Sequence, residues 1–369
     1  MNHKPQTLPG LPSLAALAVF CLCIGALTLT ISAAFAAEPR PVAGLAADAN
    51  QTATDSPDPA TQADDPAASA DAQSLPAANE ILTQLRARLE GLDSLKCELQ
   101  QATTISGMKL TAVGKYVEAT GNRVSLQYVI YPMSPEKVDD AKQLALDAAP
   151  QVFDEAQNRG VLIQVSDGTI LSTSWKNGDS HRVTHRNVRD ILAAAEATKT
   201  YDPTNAAMDL GVGGLRGLIS RLQTSMDFAP VKSLTVGERQ VFEVTGRWND
   251  RIRKDVFKVP EGTLVDPRPQ VPEYVRVYVD AETMLPRRIQ FLKRSMNPAE
   301  KMVRPLITLD LRNVLLNEAV DDQTFKFTAP ENSPEEDQTE QVIQLIQQSI
   351  NPTASPDPAS DAAKSPVPR

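Results

Sequence analysis

Between Asn79 and Leu92 the apolar side chains Ile81, Leu82, Leu85, Leu89 and Leu92 recur every three or four residues. This period predicts an amphipathic helix, capped by Asn79 and ending near Gly91. The pattern then changes. "CELQQATTISGMKLTAVGKYVEATGNRVSLQYVIYP" is rich in β-branched and aromatic residues and is broken by Gly-Asn, as in a strand-turn-strand meander that puts Val124, Leu126, Tyr128 and Ile130 on one face. Ser134 to Asn158 is helical in composition but divided by Pro150, which predicts an inserted helix serving as a lid or a loop.

Asp167-Gly168 separates two alternating runs, a strong hairpin signal, with Leu171 and Trp175 after the turn. Helical periods return at Val188 to Ala197 and at Gly214 to Met226, the second carrying Leu215, Leu218, Ile219 and Leu222 behind Gly211, Gly213 and Gly214. Strands follow at "RQVFEVTGRW", "KDVFKV", "YVRVYVDAETMLPRRIQFL" and "PLITLDLRNVLL". In the third of these, Val275, Val277, Val279, Ile289 and Phe291 share a face, and Arg276, Arg288 and Gln290 lie on the other, expected to be wet. Helix, strands, helices, strands, without β-α-β alternation, predicts an α+β fold on an antiparallel sheet. "SPEEDQTEQVIQLIQQSINP" ends the pattern with a helix N-capped by Ser333, with Pro334 in its first turn and Val342, Ile343, Leu345, Ile346 and Ile350 on its apolar face. Packing on the body is favoured over docking on a membrane, because its flanks are acidic.

Composition sets the limits of this body. Lys4, the apolar run Leu14 to Ile31 and Ala34-Phe35-Ala36 read as a secretory signal over residues 1–36, with an uncleaved anchor as the alternative. Residues 37–78 hold seven acidic side chains against Arg40 alone and almost no large apolar ones, so they predict a disordered acidic linker. Residues 332–369 comprise the short helix and a second disordered arm. With the two arms so acidic and a formal net charge of −9 for the whole chain, residues 79–331 form a nearly neutral body. That is unlike a nucleic-acid binder. Cys21 and Cys23 fall inside the signal, leaving Cys97 as the single cysteine beyond it, expected at a helix-strand junction.

The chain has no phosphate-binding loop, H-E-x-x-H, G-x-S-x-G or C-x-x-C motif. His181 and His185, in a stretch read as strand and turn, lack a third ligand, and Asp139-Asp140 and Asp321-Asp322 read as solvated turns. No catalytic residue, metal or cofactor is therefore assigned.

The helix ending in "LDSLKCELQQ", the runs "GKYVEATGNRVSLQYV" and "VSDGTIL", then "GGLRGLISRLQTSMDF", "VFEVTGRW", "VRVYVDAETMLPRRIQF" and the closing "NEAVDDQTFKFTAPE", in this order behind a secretory signal, resemble the LolA-like superfamily, which includes periplasmic lipoprotein carriers. The resemblance covers most of residues 79–331 and fits an envelope branch of that group. It implies a curved antiparallel sheet forming an incomplete barrel, with helices as a lid over an apolar cavity that takes acyl chains of lipids or lipoproteins.

By position in that pattern, Val124, Leu126, Tyr128, Leu171, Trp175, Phe242, Val244, Trp248, Val275, Val277, Val279, Ile289 and Phe291 would line the cavity, and Leu85, Leu89, Leu218 and Leu222 would belong to the lid. Ordinary core packing is the favoured reading of any one of them, and only the constellation favours a cavity. The expectation is a monomeric, non-enzymatic protein of the periplasm or envelope. Its alternatives are a sensor or interaction module holding a membrane protein, as anti-sigma-factor regulators of the superfamily do, and an envelope hydrolase, for which no motif speaks.

Overall fold

The computed structural model describes residues 75–105, 108–132, 160–197, 207–208, 210–260, 268, 270–295 and 303–350. The expected inserted helix over Ser134 to Asn158, the signal segment, residues 37–74 of the expected linker and residues 351–369 lie outside these residues, and the linker expected to run to Ala78 stops short of it, because Ala78 is the buried first residue of a helix. Among the described residues no helix is long and apolar enough to cross a membrane.

The amphipathic period at the start becomes helix α1 (Ala78–Glu90). Asn79 does not cap it: Ala77 holds that position, without a side-chain bond, and Asn79 sits inside the first turn. Six strands follow, β1 (Ser94–Ile105), β2 (Met108–Ala119), β3 (Arg123–Pro132), β4 (Gly160–Asp167), β5 (Ile170–Asn177) and β6 (Ser180–Asn187). Helices α2 (Val188–Ala197) and α3 (Gly214–Ser225) come next. The chain then forms β7 (Met226–Phe228), β8 (Lys232–Val236), β9 (Arg239–Trp248), β10 (Tyr274–Asp280), β11 (Pro286–Arg294) and β12 (Val303–Leu316), and closes with β13 (Glu335–Asp337) and α4 (Thr339–Ile350).

All thirteen strands belong to one sheet, ordered β13-β6-β5-β4-β3-β2-β1-β12-β11-β10-β9-β7, with β8 also paired to β9. Every pairing is antiparallel except β13 with β6. The described strands do not close into a ring, so the fold is an α+β incomplete barrel with helices over one face.

One continuous face is dry. Cross-strand register aligns Leu99 with Leu311 and Gly114, Leu126 with Tyr116, Val277 with both Val244 and Ile289, and Phe291 with Ile307 and Val275. α1 and α3 lie on this face and form one apolar cluster with it. A second cluster joins Leu171 of β5 to Val188, Ile191 and Ala195 of α2 and to Val342 and Ile346 of α4.

Four further expectations are corrected. "KDVFKV" is not a strand: Ile252–Val256 forms a π-helical turn, started by Asn249, whose side chain accepts from the Ile252 N–H at 3.0 Å. The turn delivers Phe257 edge-on to Trp248, with ring centroids 5.4 Å apart. Ser333 caps no helix. The carbonyl of Pro334 instead accepts from Val183 N–H, Glu335–Asp337 adds to the sheet, and the helix starts only at Thr339, behind an Asp337 carboxylate that accepts from Thr339 N–H at 2.8 Å. Cys97 lies within β1 on the dry face, where burial first, and then the charges of Glu118 and Glu98, push its thiol far above the ordinary range.

The fourth correction concerns the face opposite the dry one, which is not wet around the centre of β10–β12: Tyr278 is 2%, Arg288 5% and Gln290 7% exposed. The charges there are paired across strands. Arg288 holds Asp310 through two bonds, one of 2.9 Å, Arg276 reaches Glu243 at 3.7 Å and the Tyr278 hydroxyl at 3.3 Å, and the Gln290 amide reaches Thr308 at 3.4 Å. Alternation located the face correctly, but long side chains that satisfy one another do not need bulk water.

The β10–β11 turn has its own clasp. Asp280 accepts from the backbone N–H groups of Glu282 and Thr283, from the Thr283 hydroxyl and from Arg239. Burial raises this carboxyl, but those donors outweigh it and the net shift is downward. A depressed carboxyl adds stability above its unfolded value, about pH 3.9, and loses it as pH falls through its folded one. Asp280→Asn is expected to flatten the acid limb of a stability-against-pH curve measured by urea denaturation, and an unchanged limb would remove Asp280 as its source.

Candidate functional site

The dry face and its two covering helices are where the expected lining residues converge. Val124, Leu126, Tyr128, Val244, Trp248, Val275, Val277, Val279, Ile289 and Phe291 are all buried in the main cluster, with Trp175 and Phe242 half-buried against it. Leu171 is brought to a different place, the second cluster under α2 and α4. Leu85, Leu89, Leu218 and Leu222 project from α1 and α3 into the main cluster at 0–5% exposure. The helices are thus seated directly on the face. A shallow depression opens at the Gly91 end of α1, lined by Leu89, Leu92, Leu95, Ala119, Glu118 and Arg216.

The two helices are attached differently. α1 faces α3 with apolar side chains and with Gln223 of α3, whose amide reaches Thr83 at 3.1 Å and the Asn79 carbonyl at 3.4 Å, and at its C-terminus it passes through Gly91–Asp93 into β1, where the Asp93 N–H donates to the Asn317 side chain at 2.9 Å. α3 is fixed at both ends. At its C-terminus it runs straight into β7, where Asn249 bonds the carbonyls of Ser225 and Thr224.

At its N-terminus, α3 is capped from across the molecule by Glu118, a buried carboxylate on the dry face of β2. One Glu118 oxygen accepts from Leu215 N–H at 3.0 Å and from the Tyr116 hydroxyl at 2.8 Å, and the other takes Arg216 Nε at 3.1 Å. The free N–H groups of a helix start and the local dipole favour such an anion. Gly214 makes the approach possible: its φ is +61° and a Cβ there would lie 2.3–2.5 Å from the carboxylate. Burial, with the charge and hydrogen bond of Glu118 added, pushes the Tyr116 phenol well above its ordinary value, so it stays a donor.

Sequence reasoning missed Glu118, although a signal was present. It occupies the dry-face parity of β2, in line with Ala112, Gly114 and Tyr116, where an acid without a partner would be costly. Trp248 has a comparable anchor, its indole N–H donating to the Pro272 carbonyl at 2.9 Å. Among the described residues no cluster of three or more metal-ligating side chains occurs.

No protein-family model and no curated protein matches the chain. Among solved structures it is similar to a LolA superfamily protein from Nitrosomonas europaea. That likeness has 7% identity and a TM-score of 0.25, over 69% of this chain and 99% of the other. The lipoprotein LppX of Mycobacterium tuberculosis is similar at 9% identity and a TM-score of 0.32, over 66% and 97% of the two chains. A DUF1329 family protein from Desulfovibrio piger is similar at 10% and 0.29, over 68% and 95%. Likenesses this distant carry no argument about ligands.

Proposed function

We propose that this chain is a non-enzymatic envelope protein that binds an apolar ligand, an acyl chain of a lipid or lipoprotein, between the dry face of the sheet and helix α1. The observation that carries this reading is the nature of the cover: one apolar surface runs across β1–β4 and β9–β12, and α1 meets it through Ile81, Leu82, Leu85 and Leu89, without the buried carboxylate that fixes the start of α3. An acyl chain can substitute for such contacts at about 0.8 kcal/mol per buried methylene, before the cost of displacing α1 is subtracted. Apolar contact exchanged for apolar contact needs no activated side chain. The helices seated on the sheet keep the surface from water, and the depression at the Gly91 end of α1 is where a chain would start to enter.

Native mass spectrometry of the whole chain, purified from a bacterial envelope without detergent, tests the reading. Co-purifying lipid is expected, and it should be depleted in Val277→Trp and Phe291→Trp, whose indoles would fill the space over the sheet while costing about 1–3 kcal/mol of stability. Circular dichroism verifies that both variants stay folded. A ligand-free mass that is unchanged after incubation with acyl lipids would overturn the reading in favour of a module that binds a membrane protein.

A further inference from the structure

The exposed charges of the body are sorted towards the two ends of its strands. At the rim where β9 ends, β10 begins, β11 ends and β12 begins, exposed cations are supplied by Arg251, Lys254 and Lys258 of the turn after β9, by Arg294 and Arg304 of the β11–β12 pair and by Lys109 at the start of β2. The exposed acids of this rim, among the described residues, are Asp250 and Asp255. Neighbouring stretches outside the described residues add Glu261, Asp266 and Glu300 against Lys301 in sequence, too few to reverse the sign. At the opposite rim exposed acids such as Glu90, Asp93, Asp167, Glu282 and Glu318 outnumber the exposed cations Arg88, Arg239 and Lys326. A nearly neutral body is thus a dipole along its strands. We propose that the basic rim is a docking surface for an anionic phospholipid bilayer, on which the body stands end-on with the depression at the Gly91 end of α1 pointing away.

The rim mixes charge with the side chains that suit a headgroup layer. Val303, beside Arg304, is 37% exposed, and the half-buried Tyr274 ring lies 5.7 Å beneath the Arg294 guanidinium, which also donates to its hydroxyl. Between the turn and the start of β10 is a depression lined by Arg247, Arg253, Trp248, Phe257 and Val271, with Glu273 on its wall. A headgroup phosphate meets two guanidinium groups there, over an apolar floor. The path of the chain agrees. α1 begins at this rim, because Gln223 near the end of α3 reaches the Asn79 carbonyl, and Asn249 of the basic turn bonds the Thr224 and Ser225 carbonyls. The residues before Ala78, which include the apolar run Leu14 to Ile31, therefore join the body on its bilayer side.

The acidic linker joins at the same rim and is the rival occupant. Its seven acids are spread along residues 37–78 with Ala, Pro, Ser and Thr between them, so bringing several onto the rim at once means ordering the chain between them. A bilayer presents its charges as a ready surface, where each Lys or Arg brought near gains about five-fold in affinity. Lipid is the better match. The docking is independent of the acyl-chain reading, since it uses the rim opposite the depression.

The test uses the chain from residue 37, which keeps every described element and removes the apolar run from contact with the vesicles. It is sedimented with vesicles of phosphatidylcholine alone or with about one-third phosphatidylglycerol at low salt. Binding is expected to be at least about tenfold tighter to the anionic vesicles and to be lost at about 0.5 M salt. Arg251→Gln, Lys254→Gln and Lys258→Gln together should weaken it by about ten- to a hundredfold, whereas Arg88→Gln, Lys115→Gln and Lys326→Gln, an equal change in net charge placed elsewhere, should leave it near the parent. Circular dichroism verifies that both triple variants are folded. Val277→Trp should bind vesicles as the parent does, and a loss there would mean that sedimentation reports acyl uptake instead of docking. Equal binding to the two kinds of vesicle, or an equal loss in both triple variants, would overturn the proposal. Binding that appears only after the seven acids of the linker are changed to Asn or Gln would overturn it as well, and would give the rim to the linker.

Discussion

Glu118→Ala lowers the unfolding free energy of the body by about 3–5 kcal/mol, a large share of what holds a domain of this kind together. The loss has three sources on one atom group. The Leu215 N–H loses its cap, the Tyr116 hydroxyl is left without an acceptor in a buried setting, and Arg216 keeps its charge at the helix start where an anion belonged. Glu118→Gln retains an oxygen for Leu215 and Tyr116 and gives up only the ion pair, so about 1–2 kcal/mol is expected. Urea denaturation followed by far-ultraviolet circular dichroism compares the two. Equal losses in both variants would mean that the charge, not the capping oxygen, holds α3 in place.

A similar loss is expected from the other side of the sheet. Arg288→Ala leaves Asp310 buried, with Arg312 the remaining cation recorded beside it among the described residues, 4.0 Å away, and should cost about 3–5 kcal/mol. The double variant Arg288→Met with Asp310→Leu removes both charges and keeps the volume, and should return to within about 1 kcal/mol of the parent. The contrast separates the penalty of stranding a charge from the worth of the pair. If the double variant is as unstable as the single, the Arg288–Asp310 contact contributes in its own right.

Much of this architecture was legible in the chain because it follows from short-range rules. The Leu85 and Leu89 spacing gave α1, Asp167-Gly168 gave the β4–β5 hairpin, and Val275, Val277 and Val279 identified the dry face of β10, since period-two alternation needs nothing beyond the strand itself. What was not legible depends on partners distant in sequence. "KDVFKV" has strand composition, yet Asn249 upstream turns it into a helical bend that places Phe257 on Trp248. "SPEED" reads as a capping box, yet the vacant edge of β6 offers Pro334 and the next three residues a ladder instead. Neither the Glu118 cap, 97 residues from Leu215, nor the mutual shielding of Arg288 and Asp310 is encoded in a local pattern. The candidate site divides in the same way: its apolar members were identifiable one strand at a time, whereas Leu171 goes to the second cluster because α2 and α4 cover its end of the sheet.

An open sheet has two ends, and each is a place where another chain could add its own strand. At one end this protein sets Glu335, Glu336 and Asp337, all exposed and consecutive. A second molecule brought alongside in the same way would meet like charge with like charge. At the other end β7 offers three residues and β8 five, headed by exposed Lys232. Growth from sheet to sheet is thus checked by repulsion at one end and by brevity at the other.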